Sequence, residues 1–407
     1  MEYTTSSIHH RNDVNVYVVI SKLALYACGL TSLCLIRHSI WQLTLESFKN
    51  FHCLKPPNLI RLSLMATIKK ILIIRLGAIG DVVHSTVIHK AIKNDYPKVK
   101  IFFLTLENTS NLIKHDPDLE AVYAFNIKKK NNWLYLLKLG LMLQKERFDV
   151  IVNLSNTLRT QLLTALAFPK KIVLRKKRGL GEHAVQKFFA SALSIFPNLK
   201  LPNNLNLYLD KKILSEIETK IKDCPRPFWI INPAGENAHL REGRIWSLEN
   251  WATLGNSLIN QYGGTVFIVG SQKEQSYHKP LQCITNSWVY SGRLSLEESA
   301  ALFSMADLFI SGDSGPLHIA SALGVHTLGI MGSTSASTCG PYGTRAFTVN
   351  PLVYCNINCS KLCTYPNAHK LYKPCIESIK PEAVMHFIET NLWEKIQKSS
   401  EITHALN

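Results

Sequence analysis

The sequence predicts an α/β protein of two domains, each built on a doubly wound parallel sheet. Three observations support this. The stretch Ile71–Ile92, ILIIRLGAIGDVVHSTVIHKAI, runs from an apolar segment that reads as a buried parallel strand (Ile71–Ile74), through a turn at Gly77 and Gly80, into a helical pattern with Val83, Val87 and Ala91 on one face. Short apolar runs and helix-length segments then alternate along the chain, as they do where helices cross over a parallel sheet. The alternation pauses at Cys224-Pro-Arg-Pro227 and restarts, and 407 residues are more than one typical core holds.

Composition narrows the class. A chain with 46% apolar and 18% charged residues is globular rather than disordered. The formal net charge of +17 points to an anionic partner: phosphate groups, an acidic membrane surface or nucleic acid. Nucleic acid is disfavoured, because the sequence has no zinc-finger spacing, no aromatic RNA-binding signature and no Lys/Arg-rich tail. Basic runs occur at Lys128–Lys130, which reads as a solvated face, and at Lys170–Arg178. Cys355, Cys359, Cys363 and Cys375 cluster as C-x3-C-x3-C-x11-C, not as the C-x2-C pairs of common zinc sites, and read as reduced structural thiols.

Residues 1–64 differ from the rest. Val14–Ile36 is apolar, but Lys22 interrupts it, and a charge near the middle of a spanning helix is costly. A basic n-region and a small-residue cleavage site, the marks of a secretory signal, are not evident. A weak membrane anchor, a disordered leader and upstream sequence attached by an early start are all open. Met65, standing directly before the first strand, favours the last.

The first domain spans residues 65–220. Asp81 follows the glycine turn and has two readings: a helix cap, since Asp caps well, or a carboxylate at the carboxyl edge of a sheet, where ligands sit in open α/β folds. Val99–Leu104 is a second strand and Thr105–Asn111 a polar loop of the kind that lines a cleft. Asn132–Gln144 is a Leu-rich helix. Val150–Leu154 is a buried strand with the exit loop Asn153–Thr160, and Lys171–Leu174 a short strand ending in Arg175–Arg178. Arg159 and Arg175 are candidates to bind an anionic acceptor, with plain surface charge as the alternative. No G-x-G-x-x-G occurs here, so a dinucleotide site is not supported.

The second domain spans residues 227–379, and residues 380–407 add a C-terminal helix and tail. Phe228–Ile231 is a strand with exit loop Asn232–Gly235. Trp246–Ile259 is helical, with Ser247 suited to the cap. Thr265–Val269 is a strand ending in Gly270–Glu274; Leu296–Met305 is helical; Asp307–Ser311 is a strand followed by GDSGPLHIASALG, Gly312–Gly324. Gly312 and Gly315 let backbone approach a ligand closely. Pro316 and Gly324 suit the first helical position and the position just past the end. N–H groups of Ser314, Gly315 and Leu317 would then face an anion such as a diphosphate. His318 is either beside that anion or a core histidine bonded to a carbonyl. Val325–Met331 is the next strand, with the small-residue loop Gly332–Thr334 after it.

Taken together these segments resemble glycosyltransferase family nine, the lipopolysaccharide heptosyltransferases. The motifs are RLGAIGDVVHST (Arg75–Thr86), Arg244-Ile-Trp246 before Leu248-Glu-Asn-Trp251, GDSGPLHIASALG, and GSTSASTCGPYG (Gly332–Gly343). The cysteine-rich tail Cys355–Cys375 is also similar to that family, and the resemblance runs from about Met65 to the helix Pro381–Lys395. It implies a GT-B architecture, with two Rossmann-like domains facing across a cleft. The C-terminal domain would bind ADP-heptose and the N-terminal domain the inner-core oligosaccharide on lipid A, with Kdo or heptose as acceptor. By the same resemblance Asp81 is the general base, and Arg244 stands where the family has a diphosphate-binding Lys. Asp313 meets the donor sugar, Ser314, Gly315 and His318 form the phosphate-side loop, Glu274 holds the ribose, and Leu294 packs on adenine.

That assignment agrees with the chemistry of the residues. Inverting sugar transfer needs a base for the acceptor hydroxyl, and positive charge and N–H dipoles for the departing diphosphate. The sequence shows no compelling acidic pair for a metal, and no cofactor is expected. The basic surface suits an enzyme at the anionic cytoplasmic face of the inner membrane, peripheral to it. Two alternatives stand: a two-Rossmann-domain oxidoreductase, and a noncatalytic nucleotide-sugar or lipid-binding protein of the same fold.

Overall fold

The computed structural model describes residues 68–175, 181–233, 245–351 and 374–405. Arg244, Lys176–Arg178, Cys355–Cys363 and the leader lie outside the described residues. Strand β1 (Lys70–Ile74) leads into helices α1 (Ile79–Ser85) and α2 (Val87–Asp95), followed by β2 (Lys100–Leu106), α3 (Glu107–Ile113), β3 (Ala121–Phe125), α4 (Trp133–Lys145), β4 (Val150–Asn153), α5 (Leu158–Leu166), β5 (Lys171–Leu174), α6 (Ala184–Leu193) and α7 (Lys211–Ile221). The second run is β6 (Phe228–Asn232), α8 (Leu248–Tyr262), β7 (Thr265–Ile268), α9 (Gln275–His278), β8 (Ser287–Val289), α10 (Leu296–Ser304), β9 (Leu308–Ser311), α11 (Gly315–Ala322), β10 (Thr327–Ile330), α12 (Ala336–Cys339), β11 (Ala346–Val349), α13 (Pro374–Glu377), α14 (Pro381–Asn391) and α15 (Trp393–Ala405).

The strands form two sheets, ordered β3-β2-β1-β4-β5 and β11-β10-β9-β6-β7-β8, and the strands in both are parallel. Strand order reverses between β1 and β4 in the first sheet and between β6 and β9 in the second. Those switch points open crevices at the carboxyl ends of the strands. Burial explains the strand sequences. Ile71–Ile74 and Leu308–Ile310 have no exposed surface, as expected where helices cover both faces. The second core gathers Trp229, Trp246 and Trp251 with Ile379, Val384 and Ile388, so the C-terminal helices close the same core as the sheet.

Several elements differ from expectation, each for a local reason. The helix after β1 is broken at Thr86, where Ser85 and Thr86 hydroxyls donate to the Val82 and Val83 carbonyls and compete with the backbone ladder. Val83, Val87 and Ala91 nevertheless all face the core. Thr105–Asn111 is not a loop: β2 extends to Leu106 and α3 begins at Glu107. Its polar Thr109 and Ser110 are buried because their hydroxyls donate to Leu106 and Glu107 carbonyls. The helix expected over Trp246–Ile259 starts at Leu248, with the Ser247 hydroxyl accepting from the Asn250 N–H. Pro381–Lys395 is two helices rather than one, parted at Leu392. Trp393 then stacks on Tyr262 with ring centroids 4.0 Å apart.

The two halves meet in one compact unit that begins at Ile68. Helix α1 packs on α11 and α3 packs on α10, the latter reinforced by Lys114–Glu297 at 2.9 Å. Helix α7 also packs on α10, with Lys220–Glu298 at 3.1 Å.

Candidate active site

The site is assembled where α1 and α11, the helices that leave β1 and β9, bring their first turns together. Gly80 lies so close to the His318 ring that a Cβ there would stand 2.5 Å from its Cδ2, and a Cβ on Gly315 would stand 3.0 Å from Ile79 Cβ. Both glycines are therefore needed for close approach, and the carboxyl edges of the two sheets face one another through them.

On the first-sheet side the decisive group is Arg75, the residue directly after β1. Its guanidinium is buried, lies over the Phe188 ring at 5.4 Å, donates to the Leu154 carbonyl at 3.1 Å, and pairs with Asp81. The Leu76 N–H donates to Ser155 Oγ at 2.6 Å, which ties the β1 exit to the β4 exit across the switch point. Asp81 is not a helix cap. Ala78 occupies that position with no side-chain bond, and Asp81 sits in the first turn. Its Oδ2 takes Arg75, its side chain is 40% exposed, and Oδ1 has no partner among the described residues. The result is a carboxylate held in orientation on one oxygen and open on the other, the form a general base needs.

On the second-sheet side the residues expected at the donor follow three of the strands. Asp313, Ser314 and Gly315 follow β9, Glu274 follows β7, and Leu294 follows β8. Ser314 is the cap of α11. Its hydroxyl accepts from the Leu317 N–H at 3.4 Å and hydrogen-bonds Ser311 Oγ at 2.8 Å, while Ser311 donates to Asn232 Oδ1 at 3.1 Å. The expectation that the Leu317 N–H faces an anion therefore fails, because the cap takes it. Glu274 is buried, with Oε2 accepting from the Ser271 N–H at 2.6 Å. Leu294 is half-buried in the turn before α10. Arg244, the expected diphosphate partner, lies outside the described residues.

Histidines fill the seam. His318 is 5% exposed; its Nδ1 lies 3.1 Å from His84 Nε2, and its Nε2 lies 3.8 Å from Asp313 Oδ1. His318 is thus bonded to another histidine rather than to a carbonyl. His183 caps α6, its Nδ1 accepting from the Val185 N–H at 3.2 Å and its Nε2–H donating to the Gly340 carbonyl at 3.0 Å. Its ring centroid is 5.5 Å from that of His84. Burial pushes His84 well below the usual histidine range, helped by His318, His183 and Arg75. Burial also lowers His183, against the opposing effect of its bond to Gly340. Both rings are neutral at pH 7.

Arg159 and Arg175 stand at the exits of β4 and β5 and both are exposed. Arg159 is already engaged, donating to the Lys130 carbonyl at 3.1 Å and to Asn131 Oδ1 at 2.8 Å. Arg75 and His183 had no assigned role on sequence alone. Arg75 had a readable signal, as a cation directly at the end of a buried strand. A cavity of about 340 Å³ lies at the far end of α11, between Asn204–Tyr208 and Thr344–Arg345, away from all of these groups.

Comparison with known proteins shows the family and the fold. Residues 136–369 match the model of glycosyltransferase family 9 (heptosyltransferase). The chain belongs to that family. It is 24% identical over 295 residues to the lipopolysaccharide core heptosyltransferase OpsX of Haemophilus influenzae, covering 67% of this chain and 82% of the relative. It is 25% identical over 347 residues to lipopolysaccharide heptosyltransferase 1 of Campylobacter coli, covering 79% and 98%. Among solved structures, a family 9 glycosyl transferase from Veillonella parvula superposes with a TM-score of 0.70 at 18% identity, covering 80% of this chain and 98% of that one. E. coli ADP-heptose lps heptosyltransferase II gives 0.65 at 19% identity, covering 80% and 99%, and E. coli heptosyltransferase WaaC with ADP gives 0.62 at 18%, covering 79% and 99%. These likenesses are of fold, and the fold is GT-B. The protein is a glycosyltransferase, and the oxidoreductase alternative falls.

Proposed function

We propose that this family 9 chain transfers heptose from ADP-heptose to the inner-core oligosaccharide of lipopolysaccharide with inversion at the anomeric carbon. The acceptor hydroxyl attacks that carbon while Asp81 Oδ1 takes its proton. The bond from the anomeric carbon to the diphosphate oxygen breaks, and ADP departs carrying the electron pair. Arg244 and the N–H groups of Ser314 and Gly315 receive the developing charge. Asp313 faces the donor sugar, and His318, held by His84, keeps the phosphate-side loop in place. Glu274 and Leu294 hold the adenosine, and Arg159 and Arg175 meet the anionic acceptor. The acceptor sits on lipid A, so the enzyme works at the cytoplasmic face of the inner membrane. Among the described residues no helix is long and apolar enough to cross a membrane, and contact with the bilayer would be peripheral.

One observation supports this reading above the others: the first turn of α1, which carries the oriented, half-open Asp81 carboxylate, packs against the capped first turn of α11. The test is turnover with the full chain, ADP-heptose, and a panel of Kdo- and heptose-terminated acceptors, reading ADP release and the configuration of the new linkage. Retention of configuration, or ADP release with no acceptor dependence, would overturn it.

A further inference from the structure

Helix α4 is apolar on both sides. Leu136, Leu139 and Leu143 face the first core, as a crossover helix requires. The opposite side carries Trp133 (67% exposed), Leu134 (57%), Leu137 (36%) and Leu141 (46%). Trp133, Leu137 and Leu141 recur every fourth residue, so they form one stripe. Solvent-facing positions of a surface helix are ordinarily polar, so this stripe is not explained by the fold.

The apolar surface continues beyond the helix. Helix α5 runs beside α4: Arg159 near its start bonds the turn before α4, and Leu166 at its end packs on Gly140. It adds Leu158 (65% exposed) at its start and Phe168 (77% exposed) just past its end. Phe168 has φ 46°, a left-handed conformation that glycine ordinarily takes at a helix end and that disfavours a bulky side chain. Before α4 the chain adds Ile127, half exposed in the turn Ile127–Lys129.

Lysines border this surface. Lys128, Lys129 and Lys130 precede α4, and Lys138 and Lys145 flank the stripe on the helix. All five are exposed, and none forms an ion pair with a described carboxylate. An apolar stripe with an aromatic residue and a lysine border is the pattern of a helix that lies in the plane of a membrane interface, its apolar side among acyl chains and its ammonium groups at anionic headgroups. A protein partner with the same fit would need an apolar face bordered by acid. The bilayer is favoured because the surface adjoins Arg159 through Asn131, on the side where a lipid-borne acceptor would arrive.

We propose that α4, with the flanking residues Ile127, Leu158 and Phe168, docks the enzyme on an anionic phospholipid bilayer. The proposal rests on the reading of the acceptor as lipid-borne, and it assigns that contact to particular residues. Lys128–Lys130 are exposed, as expected of a solvated face, and the proposal gives that face an occupant. The full chain is sedimented with vesicles of phosphatidylcholine alone and of phosphatidylcholine with phosphatidylglycerol, at low and high salt. Binding is expected only to the anionic vesicles and to weaken with salt.

Two variants separate the contributions. Each interfacial lysine is worth about fivefold in binding, so combined Lys128→Gln, Lys129→Gln, Lys138→Gln and Lys145→Gln should lower it about 10²–10³-fold. Combined Trp133→Ser, Leu137→Ser and Leu141→Ser should lower it at least about tenfold. ADP affinity should be unchanged in both, which shows that they fold. Equal binding to neutral and anionic vesicles, or unchanged binding of the variants, would overturn the proposal. So would a concentration-dependent dimer abolished by Trp133→Ser, which would give the face to a second copy of the chain. Turnover of a delipidated acceptor reports on the functional reading separately: its failure with vesicle binding intact would count against the proposed transfer to the inner core and leave the docking surface.

Discussion

Replacing Gly80 with alanine sets two effects of opposite sign against each other. Gly80 is inside α1, and helix propensity alone favours alanine over glycine by about 1 kcal/mol. The new Cβ, however, would stand 2.5 Å from His318 Cδ2, roughly 1 Å inside ordinary contact. The ring cannot yield, because it is buried, bonded to His84 at 3.1 Å and adjacent to Asp313. Either the His84–His318 bond breaks or the two helix starts part. Overpacking of this kind costs about 1–3 kcal/mol, and losing the hydrogen bond costs about 1 kcal/mol more. The clash therefore wins, and Gly80→Ala should destabilise the protein by about 1–3 kcal/mol in a urea melt after the propensity gain is counted. ADP affinity by calorimetry should fall as well, since α11 carries the donor loop. Gly315→Ala, with 3.0 Å to Ile79 Cβ, should be milder in the melt. A Gly80→Ala protein more stable than wild type, with unchanged ADP affinity, would refute the close approach of α1 and α11 on which the site depends.

Two further outcomes are expected. Arg244→Ala should weaken ADP binding by about 1.5–3 kcal/mol, the scale of a charged hydrogen bond; unchanged affinity by calorimetry would remove Arg244 from the donor site. Acid should destabilise the fold through its buried histidines. Burial holds His278 and His326 down at about 4, and His84 is lowered well below its usual value. The unfolded chain takes up these protons near pH 6.5 and the folded chain does not, so stability is lost as the pH falls from about 6.5 toward 4. For His278 alone the loss at pH 5 is about 2 kcal/mol, and a melting temperature that stays flat from pH 7 to pH 5 would contradict it.

Strands and turn chemistry were the most legible features. Lys171–Leu174 forms over the residues expected, and Ser247 caps its helix as its residue type predicts, because buried parallel strands and caps are written locally. Thr105–Asn111 misled because its polar residues are satisfied by backbone carbonyls one turn back, and only the packing of α3 on α10 makes the segment a helix. Strand β3 (Ala121–Phe125) is apolar throughout and could have been read from the sequence; it is an edge strand in which only Phe125 is buried. At the site, Asp81 and the Gly312–His318 segment were visible as a glycine turn and a bounded helix. The Arg75–Asp81 pair and the His84–His318 bond were not. One needs the guanidinium to turn back over the switch point, and the other joins residues 234 positions apart. Helix α4 shows the converse. Its leucines mark a helix in the sequence, and only the accessible surface shows that the core uses one side of it.

The central claim is that Asp81 takes the acceptor's proton, and Asp81→Asn tests it most directly. Asparagine keeps the shape and can still accept the Arg75 hydrogen bond through its amide oxygen, but it is too weak a base for the transfer. Melting temperature and ADP-heptose affinity should therefore stay near wild type, while turnover of the acceptor falls about 10²–10⁴-fold, the usual contribution of a positioned base. An Asp81→Asn enzyme that transfers heptose at close to the wild-type rate would contradict the claim and place the base elsewhere.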